Sequence, residues 1–159
     1  MKFVSKEDKL SRLLAQVSQL DLDMALKGGT ALNRGYLGDA ARFSEDIDID
    51  VFGPGPVGEK LSLVAGELSK LSGFELSGPR MHHLTARFDA HYQNEFGQRD
   101  RVMLDLYLAN ERPHCALPVE RTLVASKVIE TSPAIFPCYL LEDLVAQKLV
   151  ALHSRREGK

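Results

Sequence analysis

The chain has 159 residues, of which 44% are hydrophobic and 26% charged, a composition that is typical of one compact globular domain. Its net charge of −2 and pI near 6.2 argue against a strongly basic surface that coats nucleic acid, although they leave room for a local basic groove. No apolar run reaches membrane-spanning length, residues 1–9 lack the apolar core of a signal peptide, and the two cysteines, Cys115 and Cys138, lack metal-ligand spacing, so we expect a cytoplasmic protein.

The N-terminal part of the chain predicts two helices joined by a short extended segment. Residues 6–20 are typical of an amphipathic helix, whose apolar face comprises Leu10, Leu13, Leu14 and Val17. The extended segment Met24–Leu26 leads into Gly28 and Gly29. From Thr30 to Tyr36 the sequence predicts a helix of about two turns. Taken alone, the glycine pair could form no more than a tight turn.

The next predicted element is a strand over Arg42–Phe52 in which acidic and apolar residues alternate. Successive side chains of a strand point to opposite faces. The apolar face comprises Ile47, Ile49 and Val51. The acidic face comprises Asp46, Asp48 and Asp50. Neighbouring carboxylates raise one another's pKa unless a cation neutralises them, and Mg²⁺ prefers oxygen ligands. The pattern therefore favours a metal site over a solvated strand face.

Beyond the Gly53–Pro56 break, the pattern predicts a helix over Val57–Leu71 and then two alternating strands. These strands are His83–His91 and Arg101–Leu108, and the short connection between them favours antiparallel pairing. Asp105 lies on the polar face of the second strand, where it could also be an ordinary exposed residue.

The C-terminal part predicts one clear helix. Prolines are scattered through Glu111–Pro137, so this segment yields no element, whereas Leu140–Arg155 has helical periodicity. The apolar stripe of that helix comprises Leu141, Leu144, Val145, Leu149 and Leu152. Lys148 lies along this stripe rather than on the polar face, although it could simply extend from the helix edge to solvent.

Four segments of the chain form a recognisable set. They are Leu26-Lys27-Gly28-Gly29-Thr30-Ala31-Leu32, Arg42-Phe43-Ser44-Glu45-Asp46-Ile47-Asp48-Ile49, Leu104-Asp105-Leu106 and Glu142–Leu152. Together they resemble the polymerase-beta-like nucleotidyltransferase superfamily, and more closely the AbiEii/AbiGii family, the toxin half of type IV toxin-antitoxin systems. The resemblance implies an α/β (α+β) fold in which helices flank a small mixed sheet.

The glycine segment has the chemistry that a nucleotide triphosphate needs. Amides at a helix N-terminus bind phosphate, and Gly28 and Gly29 allow a close approach. Thr30 could add a hydroxyl donor, and the family pattern places Ser44 and Lys148 at the nucleotide as well.

The acidic segments have the chemistry that nucleotidyl transfer needs. Asp46 and Asp48, two residues apart on a strand, could hold two Mg²⁺ ions. The family pair comprises these two residues, so the resemblance implies that Asp50 is a neighbour rather than a ligand. Asp105 could complete the second metal site and help to deprotonate the attacking hydroxyl. The family pattern counts Lys148 with these catalytic residues, because it would reach the triphosphate.

The resemblance implies a metal-dependent nucleotidyltransferase that moves an NMP from an NTP to a hydroxyl acceptor, with RNA such as tRNA as the acceptor and a cognate antitoxin as a protein partner. Transfer to a protein or to a small molecule such as an aminoglycoside, and a non-catalytic nucleotide-binding module, are the alternatives. A two-metal nuclease would have no need of the Gly-Gly-Thr element. We expect residues 1–159 to form the nucleotidyltransferase domain without the C-terminal helical region that follows it in the family.

Two further groups of residues could suggest binding sites, but their sequence patterns argue against this. Arg34 and Arg42 flank the expected pocket in sequence, and we interpret both as surface arginines rather than phosphate ligands. His82, His83 and His91 lack cysteine or acidic partners at ligand spacing, which argues against a zinc site.

Overall fold

A computed structural model describes residues 2–38, 44–108, 119–126 and 129–157. In this part of the chain, helices flank one seven-stranded sheet. In chain order the elements are α1 (Lys2–Val17), β1 (Met24–Lys27), α2 (Gly28–Ala31), the π-helix π1 (Leu32–Leu37), β2 (Asp46–Val51), α3 (Val57–Leu68), β3 (Glu75–His82), β4 (Thr85–Gln93), β5 (Arg99–Leu108), β6 (Glu120–Val124), β7 (Ala134–Cys138) and α4 (Leu141–Glu157).

The sheet is mixed, which confirms the predicted fold class. Its strand order is β3-β4-β5-β2-β1-β7-β6. The β2–β5 and β1–β7 pairs are parallel, whereas the remaining pairs are antiparallel. The antiparallel pairing of β4 with β5 is the one that their short connection predicted. Strands β6 and β7 come from the proline-containing segment for which the sequence predicted no element.

The core lies on one face of the central strands. Helices α1 and α3 contact β5, and α1 also contacts β7. The apolar faces of α1 and β2 are almost completely buried, as their periodicity predicted. They comprise Leu10, Leu13, Leu14 and Val17 of α1 and Ile47, Ile49 and Val51 of β2. Because side chains alternate along β2, this packing directs its aspartates to the opposite face of the sheet.

Helix α4 differs from the prediction in what its apolar stripe contacts. Leu144 is buried, but Val145, Leu149 and Leu152 are 45%, 62% and 52% exposed. The helix contacts α2 and π1, and none of the described elements covers the rest of its stripe. Periodicity predicted the helix, yet it could not show whether a second element packs against the predicted stripe.

Arg34 is buried, so the prediction of a surface arginine is wrong for this residue. It lies in π1, only 4% exposed, and its guanidinium forms an ion pair with Glu7 of α1 at 2.7 Å. It also donates a hydrogen bond to Ser11 at 2.8 Å. The buried positive charge is tolerated because Glu7 neutralises it and Ser11 accepts a hydrogen bond from it, both from α1. Arg42, Phe43 and Cys115 lie outside the described residues.

We predict that Arg34→Ala lowers the free energy of unfolding by about 3–5 kcal/mol, because Glu7 would remain buried without its counter-charge. Arg12 is the matched control, since its ion pair with Asp8 lies on the exposed side of α1. Arg12→Ala should change stability by less than about 1 kcal/mol. Urea denaturation of both variants measures the difference, and equal effects would contradict a structural role for the Arg34–Glu7 pair.

Candidate active site

The acidic residues of two neighbouring strands lie together on the open face of the sheet. The parallel register pairs Asp48 with Asp105 and Asp46 with Met103. Their carboxylates therefore project from the face opposite the core, on adjacent strands. The sequence pattern had placed each aspartate on the polar face of its own strand, and strand pairing brings the two faces together.

The environment of Asp46 and Asp48 disfavours their negative charges. Burial, followed by repulsion from Asp105, raises the pKa of Asp48 to about 6. The same two causes raise the pKa of Asp46 above its usual range. One carboxylate oxygen of Asp46, Oδ1, is buried and has no hydrogen-bond partner among the described residues. Two carboxylates held in this way would be stabilised by a cation.

Asp105 already has a cationic partner, which the sequence analysis did not identify. Arg87 of β4 lies directly across from it and binds both carboxylate oxygens, with Nε–Oδ1 and Nη2–Oδ2 distances of 2.6 and 2.5 Å. Among the described residues, no group of three or more His, Cys, Asp or Glu side chains is arranged to hold a metal ion. The only available sequence signal for Arg87 was its place on the polar face of its strand, which is too common to be specific.

Asp50 is engaged in a separate network. It is 6% exposed, forms an ion pair with Lys27 and accepts a 2.6 Å hydrogen bond from the hydroxyl of Tyr139. The Lys27 ammonium also lies 5.0 Å from the centre of the Tyr107 ring. Asp50 thus connects β2 to Lys27 at the end of β1 and to Tyr139, which follows β7.

The two glycines at the start of α2 are not equivalent. Gly28 has φ +71°, and a Cβ there would overlap the carboxylate of Asp48. A Cβ on Gly29 would lie 3.2 Å from Ser44 Oγ, a tight but less severe approach. Gly28 is therefore required both by its left-handed backbone and by its direct packing against Asp48.

Thr30 is fully buried. Its hydroxyl donates to the carbonyl of Asp46 and lies 2.8 Å from Ser44 Oγ. Thr30 and Ser44 thereby connect the start of α2 to the start of β2, and they fix the position of the aspartates relative to the glycines. The side chain is drawn inward because α2 packs against β2.

An open pocket of about 680 Å³ lies between the glycine turn and α4. Its walls include Gly28 and Asp48 on one side and Lys148 on the other. Lys27 and Tyr107 also line it, and neither was identified from the sequence. The positive charges of Lys27 and Lys148 partly offset the rise in the pKa of Asp48, so both ammonium groups exert an electrostatic effect on this carboxylate.

The chain was compared with protein-family models, curated proteins and solved structures. The family model "Nucleotidyl transferase AbiEii toxin, Type IV TA system" matches residues 12–159. No curated protein matches the chain significantly. No helix in the described part of the chain is long and apolar enough to cross a membrane.

Two solved structures are similar in fold. JHP933 from Helicobacter pylori is 21% identical with a TM-score of 0.59, over 94% of this chain and 57% of that one. MenT4, a nucleotidyltransferase toxin from Mycobacterium tuberculosis, is 24% identical with a TM-score of 0.61, over 91% of this chain and 51% of that one. The chain thus spans a little over half the length of these proteins, and at such identities the likeness shows the fold alone.

We predict opposite stability changes for two aspartates on the same strand. The folded state raises the pKa of Asp48 to about 6, above the value of about 3.9 expected when unfolded. Its ionisation therefore destabilises the fold increasingly as pH rises through that range, and fully above it. In metal-free buffer at pH 8, Asp48→Asn should raise the free energy of unfolding by about 1–3 kcal/mol, with little change at pH 4.

Asp50→Asn is the matched variant and should lower the free energy of unfolding at pH 8 by about 1–3 kcal/mol, because it removes the charge paired with Lys27. Chemical denaturation in the presence of a chelator measures both variants. Stability changes of the same sign would contradict the difference in environment between the two carboxylates.

Proposed function

The chain belongs to the AbiEii nucleotidyl transferase toxin family, and on this premise we propose that it moves an NMP from an NTP to a hydroxyl of an RNA such as tRNA, with divalent metal, and releases pyrophosphate. The family also implies an antitoxin partner. The observation that supports this proposal best is the position of Asp48, which lines the pocket together with Gly28 and Lys148 and lies two residues from Asp46 on the same face of β2. Burial and then repulsion from Asp105 raise the pKa of both carboxyl groups.

The residues present suit a divalent cation such as Mg²⁺. The ligands are carboxylate oxygens, which hard cations prefer, and Asp46 Oδ1 is buried with no partner in the part of the chain that the structure describes. Asp46 and Asp48 would hold the metal, in a family reaction for which two ions are expected. When bound, the metal would neutralise triphosphate charge and favour ionisation of the acceptor hydroxyl.

The role proposed for Asp105 depends on Arg87. Asp105 could assist as a further ligand or accept the proton of the attacking hydroxyl, but both its oxygens are now bound by the guanidinium. Either role requires that Arg87 release at least one oxygen. The Arg87 side chain is 45% exposed, so solvent can take over its hydrogen bonds when it releases an oxygen.

The nucleotide would lie in the pocket with its phosphates near the glycine turn. Backbone amides at the start of α2, at Gly28 and Gly29, would face phosphate oxygens. Lys148 would approach the triphosphate from α4, across the pocket. The acceptor oxygen then bonds to the α-phosphorus, the bond from that phosphorus to the bridging oxygen breaks, and pyrophosphate leaves with the electron pair.

The direct test is to incubate the chain with each labelled NTP, Mg²⁺ and total RNA, and to follow the label. We expect labelled RNA, and at least about a 100-fold loss of transfer in Asp46→Asn and Asp48→Asn, since the metal would lose a ligand. Asp8→Asn, on the outer side of α1, is the control and should retain activity. Label on protein or a small molecule would overturn the RNA acceptor, and unchanged transfer in both variants would overturn the metal assignment.

A second prediction concerns Lys148 alone. Lys148→Ala should weaken NTP binding by about tenfold, because a charge-assisted contact with the triphosphate is lost. Lys70→Ala removes an equal charge from an exposed ion pair after α3 and should leave binding unchanged. Isothermal titration calorimetry measures both. Equal affinities for the two variants would remove Lys148 from the nucleotide site.

A further inference from the structure

The open face of strands β3, β4 and β5 presents a row of arginines beside the carboxylates. The register pairs Arg80 with Arg87, and it places Arg101 opposite His91 and Arg99 opposite Gln93. Directly paired residues share a face of the sheet, so all four arginines project to the side that also bears Asp105 and Asp48. We call Arg80, Arg87, Arg99 and Arg101 the arginine row.

Carboxylates hold each guanidinium of the arginine row in place. Asp89, only 4% exposed, contacts Arg80 at 2.6 Å and Arg101 at 3.3 Å. Arg87 is bound by Asp105, and Arg99 contacts Glu75 at 3.0 Å. A buried carboxylate shared by two arginines orients both, which reduces the entropy that a ligand would have to remove on binding.

The same guanidiniums remain accessible. The four arginine side chains are 45–60% exposed although each contacts a carboxylate. A guanidinium has five N–H donors, so one that is held by a carboxylate still has donors for phosphate oxygens. The arginine row is therefore both ordered and open to a ligand.

The extent of the arginine row favours an extended polyanion. It begins at Arg87, next to Asp105, and reaches Arg99, six residues further back along β5. At about 3.3 Å per residue, this is about 20 Å. A single triphosphate cannot contact sites so far apart, whereas successive phosphates of a nucleic-acid strand can.

We infer that the arginine row binds the sugar-phosphate backbone of the acceptor RNA and directs its reacting end towards Asp46 and Asp48. This inference rests on the proposed nucleotidyl transfer to RNA. The overall charge of −2 is compatible with it, because the arginine row places four guanidiniums against three contacting carboxylates, which leaves a local excess of positive charge beside the site.

The test measures binding of a fluorescein-labelled single-stranded RNA by anisotropy over a range of salt concentrations. The double variant Arg80→Gln/Arg99→Gln leaves Arg101 on Asp89, so the buried carboxylate keeps a partner. We expect at least about a tenfold higher Kd and a log–log salt slope smaller by about 1.4, since two phosphate contacts are lost. If the double variant does not fold, Arg99→Gln alone, in an exposed pair, should reduce the slope by about 0.7.

The matched control is Arg12→Gln/Lys70→Gln, which removes the same charge from exposed ion pairs on α1 and after α3. It should bind RNA as the unmodified chain does. An equal loss in the control, an unchanged salt slope in the arginine-row variant, or equal competition by polyglutamate and RNA of matched charge would each overturn the inference.

NTP calorimetry on the same proteins separates this inference from the proposed function. If the arginine-row variant binds NTP normally but binds RNA weakly, the inference is supported. If the unmodified chain transfers nucleotides to RNA while the variant binds RNA normally, the arginine row is not the RNA site and the function stands. If the unmodified chain neither binds nor transfers NTP, the proposed function fails, and with it the acceptor role of the arginine row.

Discussion

The concentration of carboxylates on one face of β2 and β5 is the constraint on which the site depends. The apolar residues of β2 are buried in the core, and strand alternation then leaves Asp46 and Asp48 no other face. The parallel register adds Asp105 opposite Asp48. Packing energy from one side of the sheet thus holds like charges together on the other, where the raised pKa of Asp48 reflects its burial and then the repulsion from Asp105.

Several contacts around the aspartates act to keep this arrangement in place. Gly28 allows the turn before α2 to pack on Asp48, and the buried Thr30 hydroxyl connects that turn to the backbone of Asp46. Asp50 binds Lys27 on the neighbouring strand. The glycine turn and the acidic strand are therefore held in a fixed relative position, although Thr30 and Ser44 lie 14 positions apart in the sequence.

Charge across the open face changes sign over a short distance. Among the described residues, Asp46 and Asp48 form no direct ion pair, whereas Asp105 and Asp89 are neutralised by arginines from β4, β3 and β5. This boundary separates a region suited to a metal and phosphates from one suited to a polyanion. Arg87 lies at the boundary, and its exchange between Asp105 and a ligand would connect the two regions.

The sequence by itself determined the family, the mixed α/β class, the faces of β2 and the antiparallel β4–β5 pair, because alternation and short connections are local properties. The Arg87–Asp105 pair, the buried Arg34–Glu7 pair and the inward hydroxyl of Thr30 were decided only by tertiary structure. Each joins residues on different elements, so no spacing along the chain encodes it. The exposed stripe of α4 has the same explanation, since periodicity defines an apolar face and only packing decides what covers it.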